Sequence, residues 1–74
     1  QPLALLEGAG LEALNHAIAA GGVRRIDGSP QREPLREALV TRDRALAYRV
    51  DDGSPVLLAE EGIETAQAAG FPGA

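Results

Sequence analysis

Residues 39–58, with the sequence LVTRDRALAYRVDDGSPVLL, decide the fold that this chain is expected to adopt. Residues 39–41 favour a β-strand, and the charged residues 42–44 indicate a turn. Residues 45–50 then alternate in character, as expected for a half-buried strand. The two sets of side chains that such a strand places on opposite faces are Leu46, Tyr48 and Val50, and Ala45, Ala47 and Arg49.

The second half of this stretch predicts a hairpin. The acidic turn at residues 51–54 contains Gly53, which can adopt positive φ. Pro55 lacks an N–H group and is therefore expected at the start of a strand or on a sheet edge. The apolar residues 56–58 are predicted to form a third short strand. An edge position would leave its backbone groups free for a partner strand, whereas a neighbouring strand or helix could equally cover it.

Upstream of this stretch, the pattern changes from strand to helix. Residues 1–7 are predicted to contain a short strand. Residues 11–20 are predicted to form a helix, because Leu11, Leu14 and Ile18 share one helical face and two glycines follow. Residues 27–30 have the composition of a turn, and residues 65–74 are predicted to form a flexible tail of a single small domain spanning residues 1–74.

Composition limits the possible functions. The chain has 74 residues, a net charge of −4 and no cysteine. An acidic protein is repelled by phosphate backbones, so nucleic acid is not the expected ligand. There is no apolar run long enough to predict a membrane span, and a cytoplasmic location is expected. Without disulfides or cysteine ligands, so small a domain is expected to gain stability from a partner chain or from a second copy of itself.

The residues that could carry chemistry do not form a catalytic pattern. His16, the one histidine, is predicted to lie on the helix surface, away from the apolar face. Five carboxylates in residues 51–64 lack the spacing of a calcium loop, so a solvated turn and helix start are the favoured interpretation. The glycines flank a helix and do not form a phosphate-binding loop. No enzyme activity, cofactor or metal site is predicted.

The sequence of residues 39–64 resembles the C-terminal half of a small bacterial zinc-ribbon-like family. This family is related to the activator subunit of tRNA, rRNA and release-factor methyltransferases. Its members carry L-V-C, then a-Y-P-v-r-D-G-I-P-v-L-L and an acidic pair. The matching residues here are Leu39-Val40-Thr41, Ala47 to Leu58 and Glu60-Glu61. The helix at residues 11–20 resembles an insertion that longer members place after the first strand.

The departures from this pattern concern the metal ligands. Thr41 stands where the family has a zinc-binding cysteine, and Arg44 falls near the next ligand position. Ser54 replaces the usual isoleucine, and Arg49 the usual proline. Neither threonine nor arginine supplies a thiolate, so the resemblance implies the fold without zinc.

The expected fold is therefore α+β, with a small three- to four-stranded antiparallel sheet and one inserted helix, zinc-ribbon-like but metal-free. The resemblance implies a non-enzymatic protein-interaction module that stabilises or activates a methyltransferase-like partner. The partner-binding residues that it implies are Tyr48, Pro55, Val56, Leu57 and Leu58. The alternative hypothesis is a self-associating, homodimeric structural domain. The two hypotheses differ in the mass that the purified protein shows in solution.

Overall fold

The computed structural model describes residues 3–72 and shows an α+β fold with one α-helix and a curled antiparallel sheet. Residues 1, 2, 73 and 74 lie outside the described part, including the ends of the predicted first strand segment and of the predicted tail. The elements are β1 (Leu3–Leu6), α1 (Ala9–Ala19), β2 (Ala38–Thr41), β3 (Leu46–Asp51), β4 (Ser54–Pro55) and β5 (Ile63–Glu64). The strands pair in the order β1-β2-β3-β4, and β5 pairs with β3.

The helix α1 follows the predicted apolar face, although it begins two residues earlier than the sequence suggests. Leu14 and Ile18 are buried against the sheet, as is Gly10 in the first turn. Gly8 has φ of 63° and ends the preceding strand, and Gly21 has φ of 88° beyond the last turn. Both angles lie in the left-handed region, which glycine adopts without steric cost.

The sheet has one face toward the helix and one face away from it. In β2 and β3 the pairs Leu39 with Tyr48 and Val40 with Ala47 show which side chains share a face. The face toward α1 carries the core side chains, of which Ala38 and Ala47 have no exposed surface. The remaining core members include Leu6, Leu14, Ile18, Val23, Leu35, Val40 and Ile63.

The segment between α1 and β2 is held to the core by side-chain hydrogen bonds. The Asn15 amide donates to the carbonyl of Leu35 at 2.9 Å and accepts from the N–H of Leu35 at 2.7 Å. The predicted turn at residues 27–30 is present, with the N–H of Arg25 donating to the carbonyl of Ser29 at 2.8 Å. Isolated bridges then join Arg24 to Pro30 and Arg25 to Ile63, so this segment extends the sheet beyond β5.

Two sequence-based expectations differ from the structure. The predicted strand over residues 56–58 is wrong, because β4 ends at Pro55 and the chain continues into a 3-10 turn at Ala59–Glu61. Only the N–H of Val56 continues the pairing, by donating to the carbonyl of Arg49 at 2.9 Å. The sharp two-residue turn at Asp52 and Gly53, both at positive φ, starts the hairpin, but Pro55 offers no N–H to extend it.

The C-terminal segment differs as well. The flexible tail predicted over residues 65–74 contains three buried side chains, those of Thr65, Ala68 and Phe71. A 3-10 turn at Thr65–Gln67 starts this segment, and the Thr65 hydroxyl donates to the carbonyl of Arg44 at 2.5 Å. The Phe71 ring lies near Gly10 and under the Arg44 guanidinium, which is 5.3 Å from the ring centroid. Residues 65–71 therefore pack against the core.

Candidate interaction surface

The sheet face opposite α1, here called the outer face, carries a row of apolar side chains. Leu5 of β1 pairs with Leu39 of β2, and Leu39 pairs with Tyr48 of β3. Residues directly opposite in antiparallel strands lie on the same face, so these three side chains form a line across the sheet. Leu39 and Tyr48 are half-buried, whereas Leu5 is 53 % exposed.

The row continues past Tyr48 through Gly62 to Ile26. A Cβ atom placed on Gly62 would lie 3.2 Å from Cε1 of Tyr48 and 3.5 Å from Cδ1 of Ile26, so both side chains lie over this glycine. The N–H of Ile26 donates to the carbonyl of Gly62 at 2.9 Å, which fixes the two segments side by side. Ile26 remains 48 % exposed. The outer face is therefore an apolar strip from one side of the sheet to the other.

The residues predicted to bind a partner lie in two places. Tyr48 is at the centre of the outer face, where its ring covers Gly62. Pro55 is exposed in β4, opposite Val50, and Val56 is half-buried. Leu57 and Leu58 follow in the segment before the 3-10 turn, and each is 53 % exposed. That turn leads directly to Gly62, which lies beneath Tyr48, and Pro55 pairs with β3, the strand that carries Tyr48.

Leu5 and Ile26, which form the exposed part of the row, were not predicted from the sequence. The alternation of Leu3 and Leu5 with Ala4 and Leu6 could have suggested two faces for β1. No local pattern places Ile26 beside Tyr48, because 22 positions of chain separate the two residues and only the sheet pairing joins them.

A polar cleft of about 540 Å³ lies at the other end of β3. Its lining includes Arg25, Arg36 and Arg49, but also four carboxylates: Glu33, Glu37, Asp51 and Asp52. Opposite charges are thus nearly balanced there, and the cleft has no clear preference for an anion or a cation. Within residues 3–72, no group of three or more His, Cys, Asp or Glu side chains is placed to hold a metal ion.

Arg49 is the central side chain of an ion-pair network beside this cleft. Its Nη1 lies 2.5 Å from Glu61 Oε1, and its Nε donates to Asp51 Oδ2 at 3.0 Å. Partial burial by itself would lower the pKa of Arg49, but the hydrogen bonds and charges of Glu61 and Asp51 outweigh it and raise the pKa above its usual value. The network ties β3 to the 3-10 turn that precedes β5, and so supports Gly62 beneath Tyr48.

The turn after β2 is held by hydrogen bonds. The N–H of Arg44 donates to the carbonyl of Thr41 at 2.8 Å, and Arg44 has φ of 61°. The buried Thr41 hydroxyl donates to Asp43 Oδ1 at 2.7 Å and accepts from the N–H of Leu46 at 3.1 Å. Asp43 Oδ1 also accepts from the N–H of Ala45 at 3.0 Å. The hydrogen bond from Thr41 is the main reason why the pKa of Asp43 is lower than usual, and the bond from Ala45 adds to it.

These contacts predict how the turn responds to pH. A depressed pKa means that the ionised Asp43 stabilises the fold above the unfolded value of about 3.8, and that this contribution is lost as the pH falls through the lower folded pKa. Replacing Thr41 with valine removes the hydroxyl donor while nearly keeping the shape, and we expect the pKa of Asp43 to rise toward 3.8. Carboxyl carbon NMR titration measures this shift. Thr41→Ser keeps the donor and should keep the low pKa; equal values in both variants would contradict the assignment.

Two further observations concern membrane-spanning helices and His16. No helix within the described residues is long and apolar enough to cross a membrane. His16 is exposed on α1, as its position off the apolar face predicted.

Comparison with known proteins identifies a close structural relative. No protein-family model matches the chain. No curated protein matches it significantly. The solution NMR structure of XF2673 from Xylella fastidiosa matches with a TM-score of 0.90 and 60% sequence identity, over 97% of this chain and 74% of that chain. This identity over this coverage shows common ancestry as well as a common fold, so this chain belongs to the same protein family as XF2673.

Proposed function

We propose that this protein is a non-enzymatic, cofactor-free interaction module that stabilises or activates a methyltransferase-like partner. The observation that carries the proposal is the apolar strip on the outer face, with Tyr48 at its centre and Leu5 and Ile26 exposed at its two ends. Apolar side chains that line up across a solvent-facing sheet are typical of protein-binding surfaces. The resemblance to methyltransferase activators supplies the class of partner.

The metal-free, zinc-ribbon-like character of the sheet is part of the same proposal. Thr41 and Arg44 have the two-residue spacing at which a zinc ribbon carries a pair of cysteines. Here the turn between them is closed by hydrogen bonds through Asp43. A turn that keeps its shape without metal would leave the sheet able to bind a partner in the absence of zinc. A cytoplasmic location, where such a partner would be found, belongs to the proposal.

The proposed binding surface combines the residues inferred from the resemblance with those of the outer face. Tyr48 joins the two groups, because it lies in the strip and on β3, the strand that pairs with Pro55 and accepts a hydrogen bond from Val56. The partner-binding residues in this proposal are Tyr48, Pro55, Val56, Leu57, Leu58, Leu5 and Ile26. Burial of an exposed leucine or isoleucine contributes up to about 1.5–3 kcal/mol, so a few such residues account for a specific complex.

Affinity purification from the source cell, followed by mass spectrometry, tests the proposal. We expect a methyltransferase to be recovered in stoichiometric amount. Leu57→Asp and Ile26→Asp should each reduce its recovery by at least about tenfold, because a carboxylate would be buried without a partner. Both positions are about half exposed, so the variants should remain folded.

Ala19→Asp is the matched control, because it adds the same charge at an exposed position on α1, outside the outer face. It should leave the recovery unchanged. Recovery of no methyltransferase by folded protein, or an equal loss in all three variants, would overturn the proposal.

The second candidate function is a homodimeric structural domain. The observation that favours it is the open outer edge of β1, which has no other strand beside it in the described part of the chain. Self-association and partner binding predict different results on dilution, since only a homodimer changes mass with its own concentration.

A further inference from the structure

The tetrapeptide Asp-Gly-Ser-Pro occurs twice in this chain, at residues 27–30 and 52–55. An aspartate followed by glycine is prone to rearrange through a cyclic imide, because glycine has no side chain to shield its amide nitrogen. The two copies have the same chemistry from the aspartate to the proline. A difference in reactivity between them must therefore come from the flanking residues or from the fold.

The first copy is held in an unreactive arrangement. Asp27 Oδ1 accepts hydrogen bonds from the Ser29 hydroxyl at 2.6 Å and from the Ser29 N–H at 2.9 Å. The bond from the hydroxyl is the main reason why the pKa of Asp27 is lower than usual, and the bond from the N–H adds to it. The Gly28 N–H donates to the carbonyl of Arg25 at 2.9 Å, so the nitrogen that would have to attack is engaged elsewhere.

Neighbouring hydrogen bonds keep this first turn closed. The N–H of Asp27 donates to the carbonyl of Glu60 at 3.0 Å, and the Arg24 guanidinium donates to the carbonyl of Gly28 at 3.0 Å. The imide ring can close only if the Gly28 nitrogen turns toward the Asp27 carboxyl group, which would disrupt the turn that these bonds hold.

The second copy lacks these restraints. Within residues 3–72, the Asp52 carboxylate makes no hydrogen bond or ion pair, and the Gly53 N–H has no acceptor. Both residues are exposed, with φ of 51° and 78°, and a Cβ atom placed on Gly53 would meet nothing within 4 Å. The turn leads into β4, which has only two residues, so local opening of this hairpin end requires few hydrogen bonds to break.

We propose that Asp52–Gly53 is a self-modification site, at which this protein converts to isoaspartate, and that the fold protects Asp27–Gly28 from the same reaction. The Gly53 nitrogen attacks Cγ of the protonated Asp52 carboxyl group, and the carboxyl OH leaves with the amide hydrogen as water. Water then adds to the imide and breaks one of its two C–N bonds. Breaking the bond to the main-chain carbonyl leaves the chain connected through the Asp52 side chain, with no net change in mass.

The rearranged linkage would alter the hairpin between β3 and β4. Isoaspartate lengthens the main chain at residue 52 by one methylene group, whereas the pairing of Asp51 with Ser54 requires a loop of two residues. Residues 55–58 would therefore lose their fixed position beside β3. These residues belong to the proposed partner-binding surface, so this consequence rests on the proposed function, whereas the modification itself does not.

Incubation of the whole chain at about pH 5, where a small fraction of aspartate side chains is protonated, tests the proposal. Mass spectrometry with electron-transfer fragmentation distinguishes isoaspartate from aspartate at each position. We expect at least about tenfold more isoaspartate at position 52 than at position 27, because the hydrogen bonds of Asp27 and Gly28 must break before that site can react.

The same incubation in concentrated urea is the control. Both sites should react there at comparable rates, since the tetrapeptides are identical and the fold is lost. Three outcomes would overturn the proposal: equal amounts of isoaspartate at both positions of the folded protein, none at position 52 while the unfolded chain reacts, or an equally large preference in urea.

A matched pair of serine variants tests the cause of the protection. Ser29→Ala removes the hydroxyl that donates to Asp27 and should raise isoaspartate at position 27 at least about threefold. Ser54→Ala makes the same change after Gly53 and should leave position 52 unchanged, because the Ser54 hydroxyl makes no hydrogen bond to Asp52. An unchanged position 27 in Ser29→Ala would overturn this account of the protection. Isoaspartate at position 52 without recovery of a methyltransferase from cells would contradict the proposed function and leave the modification site supported.

Discussion

Replacing Leu14 with alanine is expected to lower the free energy of unfolding by about 2–5 kcal/mol, the largest effect of any single substitution considered for this protein. Leu14 has no exposed surface and lies where α1 packs on the sheet, within the cluster that includes Ile18, Val40 and Ile63. The substitution removes the transfer free energy of the side chain and leaves a cavity. A domain of this size rarely has more than about 3–5 kcal/mol in total, so Leu14→Ala should be largely unfolded at room temperature.

Urea denaturation followed by far-ultraviolet circular dichroism measures this effect. Leu14→Met nearly conserves volume and should cost less than about 1.5 kcal/mol, which keeps a transition within the measurable range. Leu57→Ala makes the same chemical change as Leu14→Ala at a position that is 53 % exposed, and should change stability by less than about 0.5 kcal/mol. Similar losses at positions 14 and 57 would mean that α1 does not pack as described.

Phe71→Ala is the second substitution with a large expected effect, about 3 kcal/mol. Phe71 is 7% exposed, its ring contacts the region of Leu6 and Gly10, and the Arg44 guanidinium lies over it. The Nε of Arg44 also donates to the carbonyl of Pro72 at 2.8 Å, which holds the segment in place. Removal of the ring would expose the core beside α1 and leave Arg44 without its aromatic neighbour.

Two further variants separate the contributions at this site. Phe71→Leu retains most of the apolar contact and loses the cation–π interaction, so it should cost about 1 kcal/mol beyond the small change in burial. Ala69→Ser, at an exposed position two residues earlier, should have little effect. A stability of Phe71→Ala equal to that of the unmodified chain would show instead that residues 65–74 form the flexible tail predicted from sequence.

Several features of the fold were predictable because their causes are local. The helix was predicted from the spacing of Leu11, Leu14 and Ile18, since residues three or four positions apart lie on the same face of a helix. The strand β3 was found from its period of two, and the hairpin turn from Asp52 and Gly53, which both adopt positive φ. The α+β class follows from these elements and was confirmed.

Other features depended on contacts between distant segments. The apolar residues 56–58 favour a strand by composition, but no neighbour pairs with them beyond Val56. The small polar residues and the glycines after Glu64 suggest a flexible tail. Instead, the Thr65 hydroxyl donates to the carbonyl of Arg44, and the Phe71 ring lies beside Gly10. Local propensity is a weak guide where a few long-range contacts supply most of the stabilisation.

The candidate surface shows the same division. Tyr48 and Leu57 were inferred from a resemblance in sequence, and the structure places Tyr48 at the centre of an apolar strip. Leu5 and Ile26 joined that strip only through strand pairing. Which face of β3 is the core could not be read from the sequence, because the larger side chains Leu46, Tyr48 and Val50 lie on the outer face and the small Ala47 faces the helix.

By itself, the sequence determined where this chain turns, where its helix lies, and which side chains alternate between the two faces of β3. These features follow from backbone preferences and side-chain periods, which act over a few neighbouring residues. The tertiary structure alone decided which face of the sheet the helix covers, which edge stays open, and how the C-terminal segment packs. Those outcomes depend on the burial of side chains such as Leu14, Ala38 and Ala47 in one core cluster, and on hydrogen bonds such as that from Thr65 to Arg44. Such contacts join residues far apart in the chain, and no local pattern encodes them.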